Sequence, residues 1–163
     1  MHWRTDGQGR LEDRPERTSS RIRVLVVDDH EDSRTIARLV LENAGCEVAE
    51  AATGPDGLRV ALADPPDVIL VDIVLPQMDG WELARRLRAN ASTRRAHIVA
   101  VTALADADTY ERTMAAGCDG VLTKPVHIAN LVAAIRSGVA KNPPLGGASP
   151  GLPSARESAL PPI

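Results

Sequence analysis

Four short apolar runs, far apart in the chain, each end on a polar residue. Val24-Leu25-Val26-Val27 leads into Asp28-Asp29, and Val68-Ile69-Leu70-Val71 leads into Asp72. Ile98-Val99-Ala100-Val101 leads into Thr102, and Val121-Leu122-Thr123 leads into Lys124-Pro125. Runs of this length, rich in Val and Ile, read as strands buried on both faces, the habit of parallel sheets. Laid side by side, their C-terminal ends bring the carboxylates of Asp28, Asp29 and Asp72, the Thr102 hydroxyl and the Lys124 ammonium to one edge.

The stretches between the runs have helical spacing. A helix is expected from about Glu31-Asp32-Ser33, with Ile36, Leu39, Val40 and Ala44 on its apolar face and Gly45 just past its end. Thr53-Gly54-Pro55 introduces a second helix carrying Leu58, Ala61 and Leu62, which stops before Pro65-Pro66. Gly80 opens a third with Leu83, Ala84 and Leu87, and a fourth is expected over 106–116. The last places Ile128, Leu131, Val132, Ile135 and Val139 together. Strands are predicted at 22–27, 46–51, 67–71, 97–101 and 119–123.

Five strand–helix units predict an α/β fold: a doubly wound five-stranded parallel sheet with helices on both faces. Right-handed crossovers gather all strand C-termini at one edge, and ligands bind there, where the strand order reverses. In the flavodoxin-like order 2-1-3-4-5, assumed here, that point lies between strands one and three, which carry Asp28-Asp29 and Asp72.

The chain's 163 residues suit one domain. Residues 1–20 lack apolar periodicity and read as a disordered leader; residues 142–163 hold six of the twelve prolines and read as a tail. The expected organisation is thus a leader at 1–20, a folded domain at 21–140 and a Pro/Gly-rich disordered tail at 141–163. The ends carry about +2 (1–23) and +1 (141–163) of the total −3, leaving about −6 on the middle of the chain, which argues against nucleic acid as a partner. No apolar stretch reaches the roughly 18 residues of a membrane span, and the polar start lacks a secretory apolar segment, so the cytoplasm is the expected compartment. Cys46 and Cys118 form no disulfide framework or metal spacing and read as small apolar residues.

The chemistry follows from the convergent residues. Three carboxylates in one cleft repel one another, and a divalent cation relieves the repulsion. Carboxylate oxygens suit Mg²⁺ shared with a phosphoryl group, while Lys124 and Thr102 match the negative charge that develops on a transferring phosphoryl. Any one of these residues alone reads as a solvated loop residue; all five at the ends of the right strands do not.

These segments resemble the receiver domain of bacterial two-component response regulators, including the chemotaxis-regulator-like single domains. The resemblance rests on Val26-Val27-Asp28-Asp29, the run from Val71-Asp72 to Asp79-Gly80, Val101-Thr102-Ala103 and Thr123-Lys124-Pro125, and it covers about residues 22–140. It implies that Asp72 is the phosphoacceptor, that Asp29, Asp72 and the Val74 backbone carbonyl ligate Mg²⁺ directly, and that Asp28 acts largely through water. It also implies that Thr102 and Lys124 contact the phosphoryl oxygens and that the Lys124-Pro125 bond is cis.

The implied function is phosphoacceptance in a phosphorelay. A histidine kinase or histidine phosphotransfer protein donates the phosphoryl group, and an unknown output protein reads the result. Such a domain is a signalling module, not an enzyme in the usual sense, although it promotes its own phosphorylation and dephosphorylation. The resemblance allows a homodimer through the face made by helix four, strand five and helix five. It fits a stand-alone regulator as well as a receiver attached to a larger protein. The alternative is a receiver-fold interaction module that acts without phosphorylation. An Asp-nucleophile phosphohydrolase would place a second Asp two residues after Asp72, where Val74 stands.

The chain also departs from the family pattern. Val121 occupies the strand-five position usually held by a switching aromatic, and Val126 follows Lys-Pro where Phe is common; the chain has no Phe. Val74 and Leu104, two positions after Asp72 and Thr102, flank the approach of water in such domains. His30 and His127 read as a rim residue and a solvated helix-start residue.

Overall fold

The computed structural model describes residues 21–104 and 106–141. The expected leader and the expected tail beyond Lys141 lie outside the described residues. Lys141 itself closes the last helix, one residue past the expected end of the domain.

The chain alternates strand and helix throughout. The strands are β1 (Arg23–Val27), β2 (Glu47–Ala51), β3 (Val68–Asp72), β4 (His97–Thr102) and β5 (Gly120–Thr123). The helices are α1 (Glu31–Asn43), α2 (Gly54–Ala63), α3 (Gly80–Ala89), α4 (Ala107–Ala115) and α5 (Ile128–Lys141). All strand pairs are parallel and the order is β2-β1-β3-β4-β5, as expected. The register sets Val27 opposite Val71 and Asp72 opposite Val101, so the ends of β1, β3 and β4 finish level.

The central strands read as unbroken apolar runs because each is buried on both faces. Leu25, Val27, Ile69, Val71, Ile98 and Ala100 point to one side, where they pack with Ala61, Leu83 and Leu87 of α2 and α3. Their sequence neighbours Val24, Val26, Val68, Leu70 and Val99 point to the other, against Leu41 of α1 and Leu131 and Ile135 of α5. Cys46 and Cys118 are free and buried in opposite layers, and burial pushes both thiols up to about 11.

The helices begin where capping chemistry allows. Thr53, Asp79 and Asp106 accept the backbone N–H three residues on, at the starts of α2, α3 and α4. Gly45 (φ 90°) and Gly117 (φ 105°) take left-handed turns just past α1 and α4, where a side chain is disfavoured.

One expected face is rotated. Ile36 and Leu39, placed by the spacing on the buried side of α1, are 63% and 55% exposed. Val40 packs inward as expected, but its companions there are Ala37 and Leu41. The helix is apolar at 36, 37, 39, 40, 41 and 44, which satisfies a 3.6-residue repeat in two registers. The sheet selects the one that places Leu41 against it. Ile128 of α5, also expected inside, is 57% exposed.

Candidate functional site

Strand ends and the turns after them build a cleft at the C-terminal edge of the sheet. The end of β1 delivers Asp28, whose residue is 7% exposed. Its backbone N–H donates to the carbonyl of Ala51, the last residue of β2, at 3.1 Å, and its Oδ1 accepts the His30 N–H at 2.9 Å. Asp29 follows, and its side chain stands more open to solvent. The end of β3 delivers Asp72, 5% exposed. Its Oδ1 accepts the Val74 N–H at 3.0 Å, and its Oδ2 accepts from Lys124 Nζ at 2.7 Å.

Lys124 comes from the turn after β5. Its N–H donates to the Thr102 carbonyl at 2.8 Å, and the bond to Pro125 is cis, as expected. The ammonium also lies 3.5 Å from Asp28 Oδ2. Partial burial alone would pull the Lys124 pKa down; the hydrogen bond and charge of Asp72, joined by those of Asp28, outweigh it and hold the group above the ordinary lysine value. Lys124 therefore stays charged and ties the ends of β1 and β3 to the turn after β5.

Asp28, Asp29, His30 and Asp72 each present a ligand atom within 4.8 Å of the others. Carboxylate oxygens dominate this donor set, which fits a hard divalent cation. His30 is the residue that sequence reasoning underrates. It is on the rim, as expected, yet its Nδ1 is 3.1 Å from Asp29 Oδ1 and 3.3 Å from Asp28 Oδ1. Its adjacency to the acid pair was the available signal.

Thr102 ends β4 on the neighbouring strand and is buried. Its hydroxyl oxygen accepts the Leu104 N–H at 3.0 Å, which fixes the loop after β4 to the side chain. The strand ends thus bring Asp28, Asp29, Asp72 and Lys124 into one cluster, with Thr102 beside it and bonded through its carbonyl to Lys124.

The loop between β3 and α3 closes on the back of Asp72. Ile73 N–H donates to the Val101 carbonyl at 3.1 Å, and Gly80 N–H returns to the Ile73 carbonyl at 2.9 Å. A Cβ on Gly80 would lie 2.5 Å from the Asp72 carbonyl oxygen and 2.8 Å from Ile73 Cα, both rigid backbone atoms. Gly80→Ala is therefore expected to lower stability by about 3 kcal/mol, since strand and helix must part to admit the methyl group. Urea unfolding measures the loss; a change below about 0.5 kcal/mol would mean that the loop yields freely.

A link to α4 starts in the first turn of α3, where that loop ends. Trp81, immediately after Gly80, donates from Nε1 to Thr113 Oγ1 at 2.9 Å, and the Arg112 guanidinium stacks 3.9 Å above its ring. No local pattern foretells this contact, because its partners are 31 and 32 residues away.

The family model for the response regulator receiver domain matches residues 24–136. The response regulator PleD of Caulobacter vibrioides is 36% identical over 115 residues, which are 71% of this chain but 25% of PleD. The chain thus spans about a quarter of that relative's length. The polar-differentiation response regulator DivK of Brucella abortus is 32% identical over 114 residues, 70% of this chain and 93% of DivK. Among solved structures, the receiver domain of the sensor histidine kinase PA1611 of Pseudomonas aeruginosa, with a magnesium ion coordinated in its active-site cleft, superimposes with a TM-score of 0.69. It is 31% identical, and the match covers 74% of this chain and 98% of that one.

Proposed function

The chain belongs to the response regulator receiver domains, and from this we propose that Asp72 takes a phosphoryl group from a phosphohistidine and so changes the affinity of this domain for its partners. The carrying observation is the Asp72 carboxylate, buried at a strand end with Lys124 Nζ at 2.7 Å from Oδ2 and the Val74 N–H at 3.0 Å from Oδ1. A nucleophile held at both oxygens is already oriented when the donor arrives. A carboxylate oxygen attacks phosphorus in line. The new P–O bond forms as the P–N bond to the donor histidine breaks, and the histidine nitrogen keeps that electron pair.

Asp28, Asp29, Asp72 and the Val74 carbonyl are the groups that would hold Mg²⁺. The ion would supply positive charge to the phosphoryl oxygens. The receiver of PA1611 carries magnesium in the corresponding cleft, and the oxygen-rich donor set here suits the same ion. Lys124 neutralises a further phosphoryl oxygen, and Thr102 donates its hydroxyl hydrogen to another. The donor is a histidine kinase or a histidine phosphotransfer protein. The reaction takes place in the cytoplasm; among the described residues no helix is long and apolar enough to cross a membrane. The face of α4, β5 and α5, where Tyr110 is exposed, carries the altered contact to an output protein or to a second copy. An interaction module independent of phosphorylation would have no need of this assembled pocket.

The test is the intact mass after incubation with phosphoramidate. One phosphoryl group is expected with Mg²⁺ and none after EDTA. Equal incorporation in both conditions, or none in either, overturns the reading.

A further inference from the structure

A cavity of about 580 Å³ lies beside Asp72, between α1, α5 and the sheet. Its floor is Val26 and Leu70, its sides include Ala37 and Val126, and one end wall is Asp28, Asp72 and Lys124. Interiors seldom leave such a volume unfilled, and ligand pockets run from about 300 to 1,000 Å³. The space arises from small side chains. Ser33 and Ala37 are the small residues among the four that α1 contributes, beside Ile36 and Val40, and Val126 stands where related receivers often have Phe, in a chain with no Phe at all. α2 and α3 pack directly on one another, whereas α1 and α5 meet at most marginally.

The lining decides the ligand. The long walls are apolar. The closed end is polar, with two buried carboxylates against one ammonium, a net negative charge that repels an anionic head and attracts a cationic one. Ile36 and Ile128, both exposed, form apolar lips at the mouth. We propose that this cavity binds a small hydrophobic amine, its aromatic or branched body between α1 and α5 and its ammonium against Asp28 and Asp72. The ligand and a divalent cation would then compete for the same carboxylates, so each weakens the other by the same factor. This inference does not depend on whether Asp72 is phosphorylated, because it concerns binding to the unmodified domain.

The test is a fluorescence and NMR titration of the full chain with 1-naphthylmethylamine, with 1-naphthylmethanol and 1-naphthoate as neutral and anionic controls. Saturable 1:1 binding is expected, tightest for the amine, with methyl shifts at Ala37, Val126 and Leu131. Mg²⁺ should weaken the amine and leave the alcohol nearly unchanged. Val126→Phe and, from the opposite wall, Ala37→Leu fill the space and should each weaken binding by at least about tenfold. Thermal melts identify a filler variant that fails to fold, and the other then carries the test. Binding that survives in folded filler variants, shifts that fall outside the α1–α5 cavity, or an amine that binds no tighter than the naphthoate overturns the proposal. So does the absence of saturable binding.

Discussion

Asp72→Asn is expected to abolish phosphoryl uptake while leaving the fold intact. Asn has nearly the shape of Asp and keeps an oxygen that can accept from Val74 N–H or Lys124 Nζ, so the two contacts at 3.0 and 2.7 Å do not both vanish. The amide is not a nucleophile toward phosphorus, and Asp28, the other buried acid, stands 3.5 Å from Lys124 Nζ against 2.7 Å for Asp72. Removing one of three carboxylates also relieves repulsion, so without Mg²⁺ the variant should be at least as stable as the parent. With Mg²⁺ the order should change. A cation at a hundred times its dissociation constant stabilises the parent by about 2.7 kcal/mol, and the variant, having lost a ligand, should gain less. Intact mass and thermal melts with and without Mg²⁺ measure both effects. Labelling of Asp72→Asn at the parental level would place the acceptor elsewhere and sink the assignment.

The sequence made the sheet legible because parallel strands buried on two faces have to be apolar at every position. Val68-Ile69-Leu70-Val71 cannot be split into an inside and an outside set, and the structure uses both. Once the order 2-1-3-4-5 holds, Asp28, Asp72 and Lys124 meet, because each ends or directly follows a strand that finishes at the same edge. The rotation of α1 was not legible. Its apolar stripe is wide enough for two registers, and only the sheet decides between them. Contacts between distant elements were equally hidden, since Trp81 reaches Thr113 and Arg112 across a separation that carries no periodicity. That contact bears on signalling. Val121 is β-branched and stiff, too small to act as a rotating aromatic, whereas Trp81, in the first turn of α3 just after the loop behind Asp72, joins that helix directly to α4.

The phosphorylated state should be long-lived. Loss of the phosphoryl group needs a water held in line behind phosphorus, an approach that Val74 and Leu104, two positions after Asp72 and Thr102, are expected to flank. Each is anchored there by its own backbone, Val74 N–H on Asp72 Oδ1 and Leu104 N–H on Thr102 Oγ1. The two residues are 68% and 51% exposed, so both face solvent rather than the core. Neither side chain can hydrogen-bond a water or orient it for attack. Replacing them with Val74→Asn and Leu104→Glu supplies an acceptor on each side of the entering water. Orientation of this kind is worth about 1.4–2.7 kcal/mol here, or roughly 10–100-fold in rate. Both residues are solvent-facing, so the double variant should fold like the parent. The measurement is the decay of the phosphorylated mass after the donor is removed. A parent that decays within seconds, or a double variant that decays no faster, would show that these two side chains do not control access of water. A slow parent accelerated by both changes together, and by less with either alone, would show that the two apolar side chains set the lifetime of the signal.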